Sequence, residues 1–185
     1  MRICIDPGHG MGNRKRGVPD SGAAVTVGGK KITEAEIVMD WANELRGILI
    51  GMGRKVVRTR KDALDPAPVI ERAHTAMVYD CEVFISLHCN AANGQANGTE
   101  TYYRGAKNKS LARACNDAVV TALGTRDRGV KTEEASQHAR LAVLNFPRAV
   151  LIELGFIAHA GDRAAMLDEG KMLLACQALA EAITS

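Results

Sequence analysis

Aromatic side chains are scarce in this chain, with three Phe, three Tyr and one Trp among 185 residues. So few rings, dispersed along the sequence, argue against a stacking platform for single-stranded nucleic acid. No apolar run approaches the eighteen or so residues of a membrane-spanning helix, so no insertion into a bilayer is expected. Charge of one sign is also lacking, because 24 Lys and Arg face 21 Asp and Glu and leave a net charge of only +3. Two short basic groups remain, Arg14-Lys15-Arg16 and Arg58 with Arg60 and Lys61. They suit an anionic polymer or simply solvated loops. The five cysteines show no CxxC spacing and are odd in number, which suggests reduced, mostly buried thiols made in a reducing compartment. The first strand starts at once, with no basic leader, apolar core or cleavage site ahead of it. A protein made in the cytoplasm without a signal peptide is the expectation, and another agent must carry it to any substrate outside.

What is present is enough apolar material, 46% of the residues, for one sizeable core. Ile3-Cys4-Ile5-Asp6 reads as a short buried strand, and Pro7-Gly8 forces a turn that leaves His9 at the strand end. Residues 10–31 are rich in Gly without a sustained period and read as a long loop. Thr33 and Glu36 have capping-box spacing, and Ile37, Val38, Trp41, Leu45, Ile48 and Leu49 then mark an amphipathic helix closed by Gly51 and Gly53. Glu36 suits the cap. Glu34 lies about 200° away around the helix and is free for another task.

Lys55 to Arg58 reads as a second strand, Pro68 to Tyr79 as a helix, and Val83 to Leu87 as a strand that delivers His88. Alternating strands and helices build a parallel sheet whose loops share an edge, so His9 and His88 are expected side by side. Thr99 to Tyr103 follows an Asn-Gly turn as a further strand, and Ser110 to Leu123 reads as a helix closed by Gly124. Residues 126–137 read as a surface excursion and Arg140 to Leu144 as a strand. A final helix is expected from Gly161 to Ile183, with Met166, Leu167, Leu173, Leu174, Leu179 and Ile183 packed on one side. Ala149 to Phe156 is the most apolar strand, yet it carries Glu153. An isolated carboxylate in such a run costs several kcal/mol unless it meets a partner or a cation.

His9, Glu34, His88 and Glu153 therefore form a set. Two imidazoles and one carboxylate are a frequent shell for catalytic zinc with one position left to water, and a second carboxylate can take that water's proton. No HExxH pattern is present. Among the other histidines, His74 falls inside a helix, His159 starts a loop, and His138 precedes a strand from which it could approach the cleft.

Asp6-Pro7-Gly8-His9-Gly10, Asp20-Ser21-Gly22-Ala23, Glu34, Thr59-Arg60-x-Asp62, Ser86-Leu87-His88-Cys89-Asn90-Ala91 and Leu151-Ile152-Glu153-Leu154-Gly155-Phe156-Ile157 follow one another from about residue 2 to residue 183. In residues and order they resemble the zinc-dependent N-acetylmuramoyl-L-alanine amidases of the amidase-3 family. Ala76-Met77 and His159 depart from residues usual in the family, outside the proposed shell. The resemblance implies an α/β fold, with a twisted mixed, mostly parallel sheet of about six strands flanked by helices, over residues 1–185 as a single catalytic domain. It implies Zn²⁺ on His9, Glu34 and His88, and Glu153 as the general base. The substrate implied is peptidoglycan, cut between the lactyl group of N-acetylmuramic acid and L-alanine of the stem peptide.

Secreted relatives carry export signals and often wall-binding modules, so this chain resembles a single-domain phage or prophage endolysin that reaches the wall after a membrane pore opens. Two other readings use the same residues differently: a zinc peptidase cutting within the stem peptide, and a peptidoglycan-binding module without catalysis. A serine hydrolase is disfavoured, since no Gly-x-Ser-x-Gly elbow occurs.

Overall fold

The computed structural model describes residues 1–185. Strand β1 (Arg2–Pro7) leads into two small antiparallel ribbons, β2 (Gly10–Met11) with β3 (Pro19–Asp20) and β4 (Ala24–Val27) with β5 (Lys30–Thr33). Helix α1 (Glu34–Gly51), β6 (Lys55–Arg58), α2 (Arg72–Val78), β7 (Val83–Asn90) and β8 (Thr99–Tyr103) follow. The chain continues through α3 (Lys109–Leu123), β9 (Asp127–Thr132), β10 (Ala149–Phe156), α4 (Ala160–Leu167) and α5 (Glu169–Thr184). No helix is long and apolar enough to cross a membrane.

Six strands form one sheet in the order β6-β1-β7-β10-β8-β9. All neighbours run parallel except β10 and β8, so the expected mixed, mostly parallel α/β sheet is present. Alternation along the strands sorts the side chains onto two faces. Ile3, Ile5, Val83, Ile85, Leu87, Val150, Ile152 and Leu154 meet α1, α3 and α5 in the larger core, where Trp41 is fully buried and donates Nε1–H to the Met166 carbonyl at 3.0 Å. The other face starts apolar, with Cys4, Phe84 and Leu151 under α2 and the turn Ala142–Asn145. Towards the ends of β1, β7 and β10 this second face turns polar, through Asp6, Ser86, His88 and Glu153.

Several sequence expectations are corrected. The stretch 10–31 is not plain loop, since it holds the two ribbons. Residues 126–137 contribute β9, whose polar composition suits a sheet edge and hides it from a hydrophobic pattern. Arg140 to Leu144 is no strand, because Ala142–Asn145 forms a 3₁₀ turn in which Leu144 N–H bonds the Leu141 carbonyl. The helix expected from Pro68 begins only at Arg72, after a turn closed by Glu71 N–H to the Pro68 carbonyl. The last helix is two, parted where Asp168 adopts an extended conformation and its carboxylate caps α5 through Lys171 N–H at 2.9 Å. That break turns the surface: Leu167, Leu173 and Leu174 are exposed, while Ala175, Cys176 and Ala180 join Met166, Leu179 and Ile183 in the core. All five cysteines are unpaired and buried, as expected.

Asp6, wholly buried on β1, gathers the polar edge. Its Oδ1 accepts from Arg72 Nη1 at 2.6 Å and Thr59 Oγ1 at 2.5 Å, and its Oδ2 from Ser86 Oγ at 2.7 Å. Burial pushes this carboxyl up, but Arg72, Thr59 and Ser86 outweigh it and hold the group below the usual carboxylate range. Arg60, 2% exposed, donates to the carbonyls of Pro7, Gly8 and Ala35, so it is a clamp rather than part of a basic surface.

Arg72→Met leaves Asp6 as a lone buried charge and should cost about 3–5 kcal/mol in urea unfolding, with less than additive loss in the Asp6→Asn/Arg72→Met double variant. Since the Asp6 pKa is depressed in the fold, its contribution is present above the ordinary carboxylate pKa and lost as pH falls through the folded value. Unfolding midpoints measured against pH should therefore fall less steeply at acid pH in Asp6→Asn than in the parent.

Candidate metal centre

Sequence fixes His9 through what surrounds it. β1 ends at Pro7, and Gly8 N–H still bonds the Leu87 carbonyl of β7 at 3.0 Å. His9 then adopts φ 61°, a left-handed conformation that non-glycine residues rarely hold without support. Arg72 Nη2 gives that support by donating to the His9 carbonyl at 2.5 Å. The absence of a side chain on Gly8 matters too, because a Cβ there would collide with the His88 ring. The two imidazoles stand edge to face, with centroids 5.1 Å apart.

Glu34 is the first residue of α1. Thr33 caps the helix, and Glu36 folds back onto Thr33 N–H at 3.1 Å, which leaves Glu34 free as the spacing implied. Its Oε1 lies 3.0 Å from His9 Nε2 and 2.9 Å from His88 Nδ1, and accepts Cys89 N–H at 2.9 Å. Its Oε2 accepts Ala23 N–H at 2.9 Å. Gly22 (φ 64°) lets the chain pass here, since a Cβ would come within 2.5 Å of Glu34 Oε2. Burial pushes the Glu34 carboxyl up, but His88 and His9 outweigh it and hold it well below the usual range. His9 is raised: burial works against its charged form, and Glu34 and Asp20 reverse the effect. Asp20 Oδ2 sits 3.2 Å from His9 Nδ1, close enough for an ion pair although off the axis of a hydrogen bond.

The ligating atoms of His9, Glu34 and His88 all lie within 4.8 Å of one another. Two nitrogens and one carboxylate oxygen converging in this way fit a divalent ion such as zinc, with a carboxylate behind one histidine to orient it. Glu153 stands beside them, paired in register with His88 across β7 and β10. Its Oε2 is buried and has no hydrogen-bond partner. Burial first, then the charges of Glu34 and Glu100, push this carboxyl well above the usual range. A buried polar atom without a partner calls for an explanation, and this one stands one strand away from His88.

All four predicted residues thus come together. The remaining histidines do not join them: His74 and His138 are exposed, and His159 caps α4 by accepting Asp162 N–H. Sequence reasoning passed over Arg72, whose signal was a lone cation on the inner side of a short helix. It also passed over Glu100, an acid inside a strand of Thr and Tyr and thus the same anomaly that exposed Glu153. Arg128 and Lys131 gave no signal while β9 went unrecognised.

The chain is 34% identical over 167 residues to the N-acetylmuramoyl-L-alanine amidase LytC of Bacillus subtilis, covering 86% of this chain and 30% of that protein. It is 30% identical to the endolysin of Bacillus phage SPP1, with 92% and 60% covered. The chain therefore spans about a third of the first of these relatives and three fifths of the second. The catalytic domain of CwlV, an N-acetylmuramoyl-L-alanine amidase from Bacillus (Paenibacillus) polymyxa var. colistinus, superposes with a TM-score of 0.83 at 29% identity, covering 99% of this chain and 96% of that one. Residues 3–185 match the N-acetylmuramoyl-L-alanine amidase family Amidase_3, and the chain belongs to that family.

Proposed function

We propose that residues 1–185 form a single catalytic domain that hydrolyses peptidoglycan at the amide between the lactyl group of N-acetylmuramic acid and L-alanine. His9, Glu34 and His88 would hold Zn²⁺, with Glu153 as general base. The observation that carries this reading is the convergence of three ligand atoms within 4.8 Å beside the unpartnered buried oxygen of Glu153. The metal, when bound, would polarise the amide carbonyl and make water a better nucleophile near neutral pH.

The residues do the rest. Asp20 and the Arg72-bound backbone hold the His9 ring in place, and Cys89 N–H and Ala23 N–H fix the two oxygens of Glu34. Glu153 accepts a proton from the attacking water at its free oxygen. Burial makes it a stronger base than an exposed carboxylate, which suits it to hold that proton and then deliver it to the departing nitrogen. The water oxygen first adds to the carbonyl carbon, and the carbon–nitrogen bond breaks once the nitrogen has taken the proton from Glu153, re-forming the carbonyl. The products are a lactyl carboxylate on the glycan and a peptide with a free L-alanine amine. Similarity to a phage endolysin supports a site of action at the cell wall, reached after release from the cell.

Mass spectrometry of fragments released from purified peptidoglycan tests the bond. Stem peptides beginning with L-alanine are expected, lost after chelation and restored by Zn²⁺; cuts within the peptide would instead make the chain a zinc peptidase, and no release would favour a binding module. Glu153→Gln should lower the rate of release by about 10²–10⁴-fold while zinc content stays at that of the parent. Activity retained in that variant would remove Glu153 from the role of base.

A further inference from the structure

One cluster in the same row of the sheet makes no contact with substrate in the chemistry above. Glu100 on β8 pairs in register with Glu153 on β10 and is only 2% exposed. It accepts from Asn90 Nδ2 and Tyr102 Oη through Oε1, each at 2.8 Å, and from Arg128 Nε and Lys131 Nζ through Oε2, each at 2.6 Å. Two cations thus share one carboxylate oxygen, and the cluster keeps a surplus positive charge. Arg128 and Lys131 side chains remain 27% and 29% exposed, so each can still reach a ligand. The Arg128 guanidinium also lies 5.0 Å above the Phe156 ring, which helps fix its plane. Lysines on an edge strand ordinarily point outward and guard against pairing with other chains. Here both cations fold inward over the polar face.

Their place in the row matters. His88, Glu153 and Glu100 occupy matched positions on β7, β10 and β8, with β9 beyond. Accepting the amidase reading, the scissile carbonyl faces the histidine side and the departing amine faces Glu153. A peptide that leaves this amine away from the histidines would pass over β8 and β9. The cationic nitrogens rest on Glu100, one strand spacing or about 4.8 Å from the strand of Glu153. A peptide spans at most about 3.3–3.6 Å per residue, so this distance falls within two residues of the cut. We infer that Arg128 and Lys131 form a carboxylate-binding subsite that selects stem peptides bearing a free carboxylate on the residue after L-alanine.

The test uses two muramyl peptides identical except that this residue carries a free carboxylate in one and a primary amide in the other. The quantity read is the ratio of their kcat/KM values, which cancels effects shared by both substrates. The parent should favour the acid by about tenfold, the lower range for a hydrogen bond between charged groups, and added salt should shrink the preference. Lys131→Met and Arg128→Gln should bring the ratio towards one, and Arg128→Lys should keep part of it. Glu100→Gln, which frees both cations from their internal partner, should raise it. A parent ratio of one, or variants that leave the ratio unchanged, would overturn the subsite while the amidase stands. Failure to cut either peptide would overturn the amidase reading and this inference with it.

Discussion

The buried carboxylate of Asp6 is the interaction on which the site depends. It binds Thr59 after β6, Arg72 of α2 and Ser86 of β7, and so ties three separate segments to β1 two residues before the turn that presents His9. Arg72 then reaches past Asp6 to the carbonyls of Pro7 and His9. A left-handed histidine is unfavourable in isolation, and this ring of donors makes it the conformation the local backbone must adopt. Parallel pairing of β1, β7 and β10 does the remaining positioning, because it sends their polar ends to the same edge.

Four carboxylates at this edge are removed from water, and their differing partners separate their roles. Asp6 is neutralised by a guanidinium, Glu100 by two cations with two further donors, and Glu34 by two imidazoles and two backbone amides. Only Glu153 keeps a buried oxygen with no donor. Desolvation without compensation favours the protonated acid and raises its pKa. Glu100 and Glu153, paired in register across β8 and β10, therefore differ in character because of what each one touches.

Much of this was legible in the sequence because it follows from local rules. The capping box at Thr33 and Glu36 released Glu34, and Glu153 stood out as a charge in an apolar strand. The histidines were found as residues at strand ends. What stayed hidden depends on long-range contacts. Strand β9 reads as a polar loop because, as an edge, it sends only Val130 against the core, too little for an apolar pattern. The ribbons within residues 10–31 are too short for a periodic signal. The last helix looked continuous because nothing in the apolar spacing marks Asp168 as a cap, and the leucines that seemed to share a side were divided by that break.

X-ray absorption at the zinc edge, on the protein loaded with one equivalent of Zn²⁺, examines directly the proposed nitrogen-and-oxygen shell of His9, Glu34 and His88. Light donors only are expected, at about 2.0–2.2 Å, with the scattering pattern of two imidazoles. A sulfur shell at about 2.3 Å would bring the neighbouring Cys89 into coordination and contradict it.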